Sequence, residues 1–171
     1  MRFEKVSFEA FRKDGLKYGW TEEAIRVAYD NVKLPERKTK YSAGYDFFSP
    51  LKFTLNPGHQ ITIPTGIKVV FRPEEKKMWH LCLYIRSSVG ITRQVVMSNQ
   101  TGIIDPDFAD NPDNEGDMLI ALKNLGDHYR HFNVGDRVIQ GVFKIHGITE
   151  DDNAEGERTG GVGSTDGKET R

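Results

Sequence analysis

The sequence predicts a mainly β domain of the sandwich, jelly-roll or barrel kind, and three observations carry that expectation. From Tyr41 onward the chain breaks into short runs in which apolar and polar residues alternate, the period of half-buried strands. Glycine and proline punctuate the runs at close spacing, as at Asn56-Pro57-Gly58 and Pro64-Thr65. No internal repeat is long enough for a solenoid, which leaves a layered or closed antiparallel arrangement.

Taken in order, residues 2–8 read as a strand. Thr21 then offers a helix N-cap, with Glu22 and Glu23 in the first turn. Ala24, Ile25, Ala28 and Val32 share one face at helical spacing, and Leu34-Pro35 closes the element. This predicts one surface helix packed on the main body. Strands follow at Leu51–Leu55, Gln60–Ile63, Gly66–Phe71, Met78–Ile85, Arg93–Met97, Met118–Leu125 and Arg137–Ile145. Ile103-Ile104 reads as a further short buried strand, opened by Gly102 and ended by Asp105-Pro106. Ala109–Glu115 is acidic and contains proline, and is expected to be a solvated loop. From Glu150 to Arg171 the chain has almost no apolar residues, too few to order an arm of its own accord. The expected division is N-terminal decoration over 1–33, a β domain over 34–149 and a flexible C-terminal arm over 150–171.

Composition narrows the function. With 171 residues and a net charge of -1, one soluble domain is expected, without a general affinity for nucleic acid or membrane. The one cysteine, Cys82, lies in an apolar run and reads as a buried hydrophobe. Neither a signal-peptide core nor a membrane-length apolar run exists, so cytoplasmic residence is expected. The five histidines lack zinc-ligand spacing. The acidic run from Asp105 has Asp110 and Gly116 where a calcium loop requires glycine and glutamate.

Five stretches could carry chemistry. Ala43-Gly44-Tyr45-Asp46 places a carboxylate after a glycine, which alone is a turn. Arg86-Ser87-Ser88 at a strand end either grips phosphate oxygens or caps a turn. Thr101–Phe108 sets Asp105 beside the aromatic Phe108. Gly135–Gln140 opens a strand whose amide Gln140 needs a partner from the fold or from a ligand. Arg158–Thr165 holds three glycines, Arg158, Ser164 and Thr165, suited to wrapping a phosphate. It is not a Walker loop, since Gly167-Lys168 has Val162 and Glu169 at the defining positions.

In this order, and over most of the chain from about Leu34, these stretches resemble the five motifs of the trimeric deoxyuridine triphosphatase (dUTPase) family, which includes phage members. The resemblance implies a jelly-roll-like dUTPase β-sandwich, a homotrimer with shared active sites, and hydrolysis of dUTP to dUMP and pyrophosphate. Asp105 matches the carboxylate that activates water at the α-phosphorus. Arg86, Ser87, Ser88, Gln140, Arg158, Ser164 and Thr165 match phosphate-binding positions. Asn99, Gly102, Ile103, Ile104, Phe108 and Val162 match positions that hold uracil and deoxyribose. Magnesium (Mg2+) is implied as cofactor, with Asp46 reaching it through water.

The chain departs from the family pattern in three places. Phe108 stands where tyrosine is common, Val162 where the arm usually carries a phenylalanine, and Ala109–Glu115 where a short Arg-Gly turn is usual. Loss of the stacking ring implies weaker arm closure, by about 1–3 kcal/mol. A dCTP deaminase shares the fold, but Ala121 stands where its proton-shuttling acid belongs. A nucleotide-gated regulatory protein with an unidentified protein partner is the other alternative.

Overall fold

A four-stranded antiparallel sheet carries most of the predicted chemistry, and its order explains how. In the computed structural model, described for residues 1–161, it runs β2 (Tyr45–Phe48), β11 (Arg137–Ile145), β6 (Trp79–Ile85), β8 (Gly102–Ile104). A three-stranded sheet of β4 (Gln60–Pro64), β9 (Leu119–Asn124) and β7 (Val95–Met97) packs against it. Two further pairs join β1 (Arg2–Lys5) to β5 (Ile67–Val70) and β3 (Phe53–Leu55) to β10 (Arg130–Phe132). The core lies between the layers, where Leu81, Leu83 and Ile139 meet Ile63, Ile120, Leu122 and Met97. The mainly β sandwich expected from the alternating runs is therefore observed.

Several elements differ from expectation. The N-terminal strand is confined to Arg2–Lys5, and residues 8–17, read in part as strand, form α1 (Phe8–Lys17). Ser7 caps α1 by accepting the Ala10 N–H, as Thr21 caps α2 (Glu22–Asp30) by accepting that of Ala24. The N-terminal decoration is thus two helices rather than one. They close on each other because Gly15 has no side chain: a Cβ there would lie 2.7 Å from Ile25 Cγ1. Val6, Ala10, Phe11, Ile25 and Ala28 form a small second core between them. Strands β2 and β10 were not expected at all. Leu51–Leu55 and Arg93–Met97 shorten to β3 and β7.

The loop over 109–117 also departs from the solvated loop expected there. Asn111 and Asn114 are buried, 5% and 2% exposed. Asn111 donates to Phe108 O (2.8 Å) and Asn114 Oδ1 (2.9 Å), while its own Oδ1 accepts the N–H groups of Asp113 and Asn114. Asn114 donates to Asp14 Oδ2 on α1 (2.9 Å) and to Asp117 O (3.1 Å). Ser7 at the start of α1 donates both its N–H and its hydroxyl to Glu115. The loop is wired to the N-terminal helices by its own side chains. Among the described residues no helix is long and apolar enough to cross a membrane.

Candidate active site

The predicted residues fall into two clusters at opposite ends of β6. At one end the register sets Gln140 against Asp46 and Tyr84. A bulge at Val138 between Arg137 and Ile139 re-aims the strand just before Gln140. Asp46, 7% exposed, accepts from Arg86 Nε at 2.8 Å and from Arg137 at 3.1 Å, one arginine per carboxylate oxygen. Two cations around one buried carboxylate leave a net positive charge at this end, and charge-assisted pairing fixes both guanidiniums in place. Gly44 lies against Gln140: a Cβ there would come within 2.4 Å of Gln140 Oε1, so a larger residue would displace the amide. Ser87 precedes a π-helical turn, Ser88–Thr92, without a side-chain cap bond, leaving its hydroxyl uncommitted to the helix. Beside them a cleft of about 340 Å³ is lined by Arg86, Ser88, Arg93, Gly135 and Arg137 among others. Its chemistry is that of an anion site.

Towards the other end, β8 pairs with the middle of β6, Leu81 opposite Ile104 and Leu83 opposite Gly102, so that Asp105 follows towards the start of β6. Gly102 permits that approach, since its Cβ would sit 3.3 Å from Leu83 Cβ. Ile104 is buried while Ile103, 63% exposed, faces outward. Asn99 is exposed in the turn before β8, its carbonyl accepting the Thr101 N–H. Asp105 follows directly, and its carbonyl accepts the Phe108 N–H in a tight turn. The Asp105 carboxylate, about half exposed, accepts from Arg158 Nη2 at 2.7 Å, and Asp107 accepts from Arg158 Nε at 3.0 Å. The same guanidinium lies 5.5 Å from the Phe108 ring centroid. Phe108 itself is 6% exposed, so a sugar can reach its face only if Arg158 moves aside.

Neighbouring groups were not read from the sequence. His80 and His146 face each other with Nδ1 atoms 3.3 Å apart. Burial, and then His146, push the His80 imidazole below its usual range, while Asp105 pulls it the other way. Arg137 also went unassigned, although its place three residues before Gln140 was the available signal.

Asp105 and Arg86 do not meet within one chain. The six-residue step from His80, beside Asp105, to Arg86 spans roughly 20 Å at about 3.3 Å per residue of strand. Val162, Ser164 and Thr165 lie outside the described residues. Among the described residues no three His, Cys, Asp or Glu side chains converge as a metal cage. Asp46, with both oxygens engaged by arginine, could meet a cation only through water.

Comparison with known proteins identifies the family. The dUTPase family model matches residues 30–166. A deoxyuridine 5'-triphosphate nucleotidohydrolase of Lactococcus lactis subsp. lactis is 40% identical over 136 residues, covering 78% of this chain and 88% of the relative. The crystal structure of a dUTPase from Streptococcus mutans superposes with a TM-score of 0.66 at 30% identity, covering 89% of this chain and all of that one. A dUTPase of phage phi11 of S. aureus shares the fold at 24% identity and a TM-score of 0.59, over 77% of this chain and 95% of that one. The chain belongs to the dUTPase family.

Proposed function

We propose that this chain hydrolyses dUTP to dUMP and pyrophosphate, and that each active site joins the Asp105 end of one subunit to the Arg86 end of another. The observation that carries this is the separation of the two clusters along β6. Neither end alone offers both a base and a phosphate cradle, and roughly 20 Å is too far for one triphosphate to bridge. A homotrimer of the kind the family resemblance implies would bring unlike ends together.

In this reading the backbone of Gly102–Ile104 and the Asn99 side chain hold uracil, and Phe108 walls off the sugar. Arg86, Ser87, Ser88 and Gln140 hold the phosphate chain, with Arg158, Ser164 and Thr165 closing from the arm. Asp105 takes a proton from water as the water oxygen bonds to the α-phosphorus. The bond from that phosphorus to its bridging oxygen then breaks, and pyrophosphate departs. Arg158 must exchange Asp105 and Asp107 for phosphate oxygens, freeing the Asp105 carboxylate as substrate arrives. Magnesium, if bound with the substrate, would be held by phosphate oxygens and water, with Asp46 reaching it through water, and would supply neutralisation of the phosphate charge. Cytoplasmic residence belongs to the same reading, with Cys82 buried and unpaired.

Magnesium-dependent release of pyrophosphate from dUTP tests the reaction. Ammonia released from dCTP would overturn it in favour of deamination, which Ala121 on β9 disfavours. Shared sites have a separate test. Chains carrying Asp105→Asn and Arg86→Ala, each inactive alone, should recover turnover when unfolded and reassembled together. No recovery, or a monomer by light scattering, would refute the division of labour.

A further inference from the structure

The loop after Phe108 is built to a single shape, and the C-terminal arm rests on it. Gly161 is buried against the loop: a Cβ there would stand 3.2 Å from Asp113 Oδ2 and 3.4 Å from Asn114 Nδ2. Neither neighbour can easily give way. Lys13 on α1 donates to the Asp113 carbonyl (2.8 Å) and to Oδ1 (2.5 Å), and Asn114 is held by Asp14 and by the Asp117 carbonyl. Gly160 is buried as well, while Thr159 between it and Arg158 is exposed. Arg158 anchors the same segment to Asp105 and Asp107. The arm is therefore attached at two points, three residues apart, one on the predicted base and one on the loop.

We propose that Asp113 and Asn114, braced by α1, form the seat on which Gly160-Gly161 docks, so that this loop rather than an aromatic stack positions the arm over Asp105. The inference rests on the reading that the arm covers a dUTP site. It gives the two features lying outside the family pattern, the N-terminal helices and the loop over 109–117, one shared task. It also compensates for Val162, whose side chain offers no flat ring to stack on a base. Lys13 chiefly, with a smaller contribution from the Gly161 N–H, holds the Asp113 carboxylate below its usual range. Asp113 and Asn114 are positioning residues here. They touch the arm and not the reacting atoms.

The test is limited trypsin digestion of the full-length protein, following cleavage after Arg158 by mass, alongside dUTP kinetics. Asp113→Ala removes the acceptor, and Gly161→Val fills the gap from the arm side without touching the folded body. Each should speed cleavage after Arg158 about fivefold, the loss of one ordinary hydrogen bond. Each should also raise KM for dUTP by a similar factor with little change in kcat. Asp110→Ala is the control: it removes a carboxylate from the same loop, but one paired with Lys68 on β5. It should leave cleavage at the wild-type rate. Wild-type cleavage rates in both seat variants, or acceleration by Asp110→Ala equal to that by Asp113→Ala, would overturn the proposal. If the wild-type protein fails to hydrolyse dUTP, the proposed function falls while the digestion still decides whether the seat exists.

Discussion

The two ends of β6 are built on opposite plans. At the Asp46 end the partners are already in place: one buried carboxylate holds two arginines, and Gly44 leaves room for Gln140. At the Asp105 end the carboxylate is half exposed and its partner, Arg158, comes from the arm. The first plan is preorganised, so a phosphate chain can be held with little rearrangement. The second is assembled on demand, because Arg158 occupies a carboxylate oxygen that the proposed reaction needs free. The contrast teaches that binding and activation can be given to different parts of one strand, and substitutions at each end should fail in different ways.

The largest effect belongs to the open end. Asp105→Asn removes the proposed proton acceptor while keeping shape, and turnover should fall by about 10²–10⁴-fold with folding intact. Steady-state pyrophosphate release and a thermal melt check both halves of that statement. A variant within tenfold of wild type would move the base elsewhere, Asp107 and His80 being neighbouring candidates. At the closed end the signature should be structural first. Asp46→Ala leaves Arg86 and Arg137 facing each other across a mostly buried site, and unfolding in urea should show a loss of about 3 kcal/mol. Unchanged stability would mean that the two guanidiniums find water instead. Gly44→Ala is milder, because the atom it strikes is the end of a flexible side chain. It should displace Gln140 and raise KM for dUTP about tenfold, close to 1.4 kcal/mol, with little loss of stability. An unchanged KM would remove Gln140 from phosphate binding.

Much of this was readable in the chain, and the exceptions share a cause. Strands β4, β6, β9 and β11 alternate or run apolar over their length, so their period announces them. Strand β2 does not, because Asp46 sits inside it. An acid in Tyr45–Phe48 becomes tolerable only when Arg86 and Arg137 arrive from distant sequence. Helix α1 hides for a related reason: its buried face carries Asp14 and Gly15, which break the apolar stripe. Asp14 is answered by Asn114 across a hundred residues of chain. The ordered motifs named the chemistry and implied shared sites, while which residues fall on which side is seen only in the strand register, which sets Asp105 and Arg86 towards opposite ends of one neighbour. Polar residues buried by remote partners are the part that local pattern cannot show.

The last comparison is between Asp46 and a second buried carboxylate, Asp117, which has no arginine. It is 0% exposed, and its Oδ1 accepts the Gly66 N–H at 2.8 Å while Oδ2 meets no partner among the described residues. Burial first, and then the charge of Asp14, raise its carboxyl well above the ordinary range. A carboxyl raised in the folded state binds its proton more tightly there than in the unfolded chain. Its contribution to stability is therefore complete below the unfolded pKa of about 4 and is lost as pH climbs through the folded value. An asparagine side chain in its place would stay neutral at every pH while keeping an oxygen for Gly66. The melting temperature of Asp117→Asn should thus match wild type near pH 4 and exceed it by a margin that grows towards pH 8. A margin that shrinks with pH would show the wild-type carboxylate to be ionised and stabilised in place.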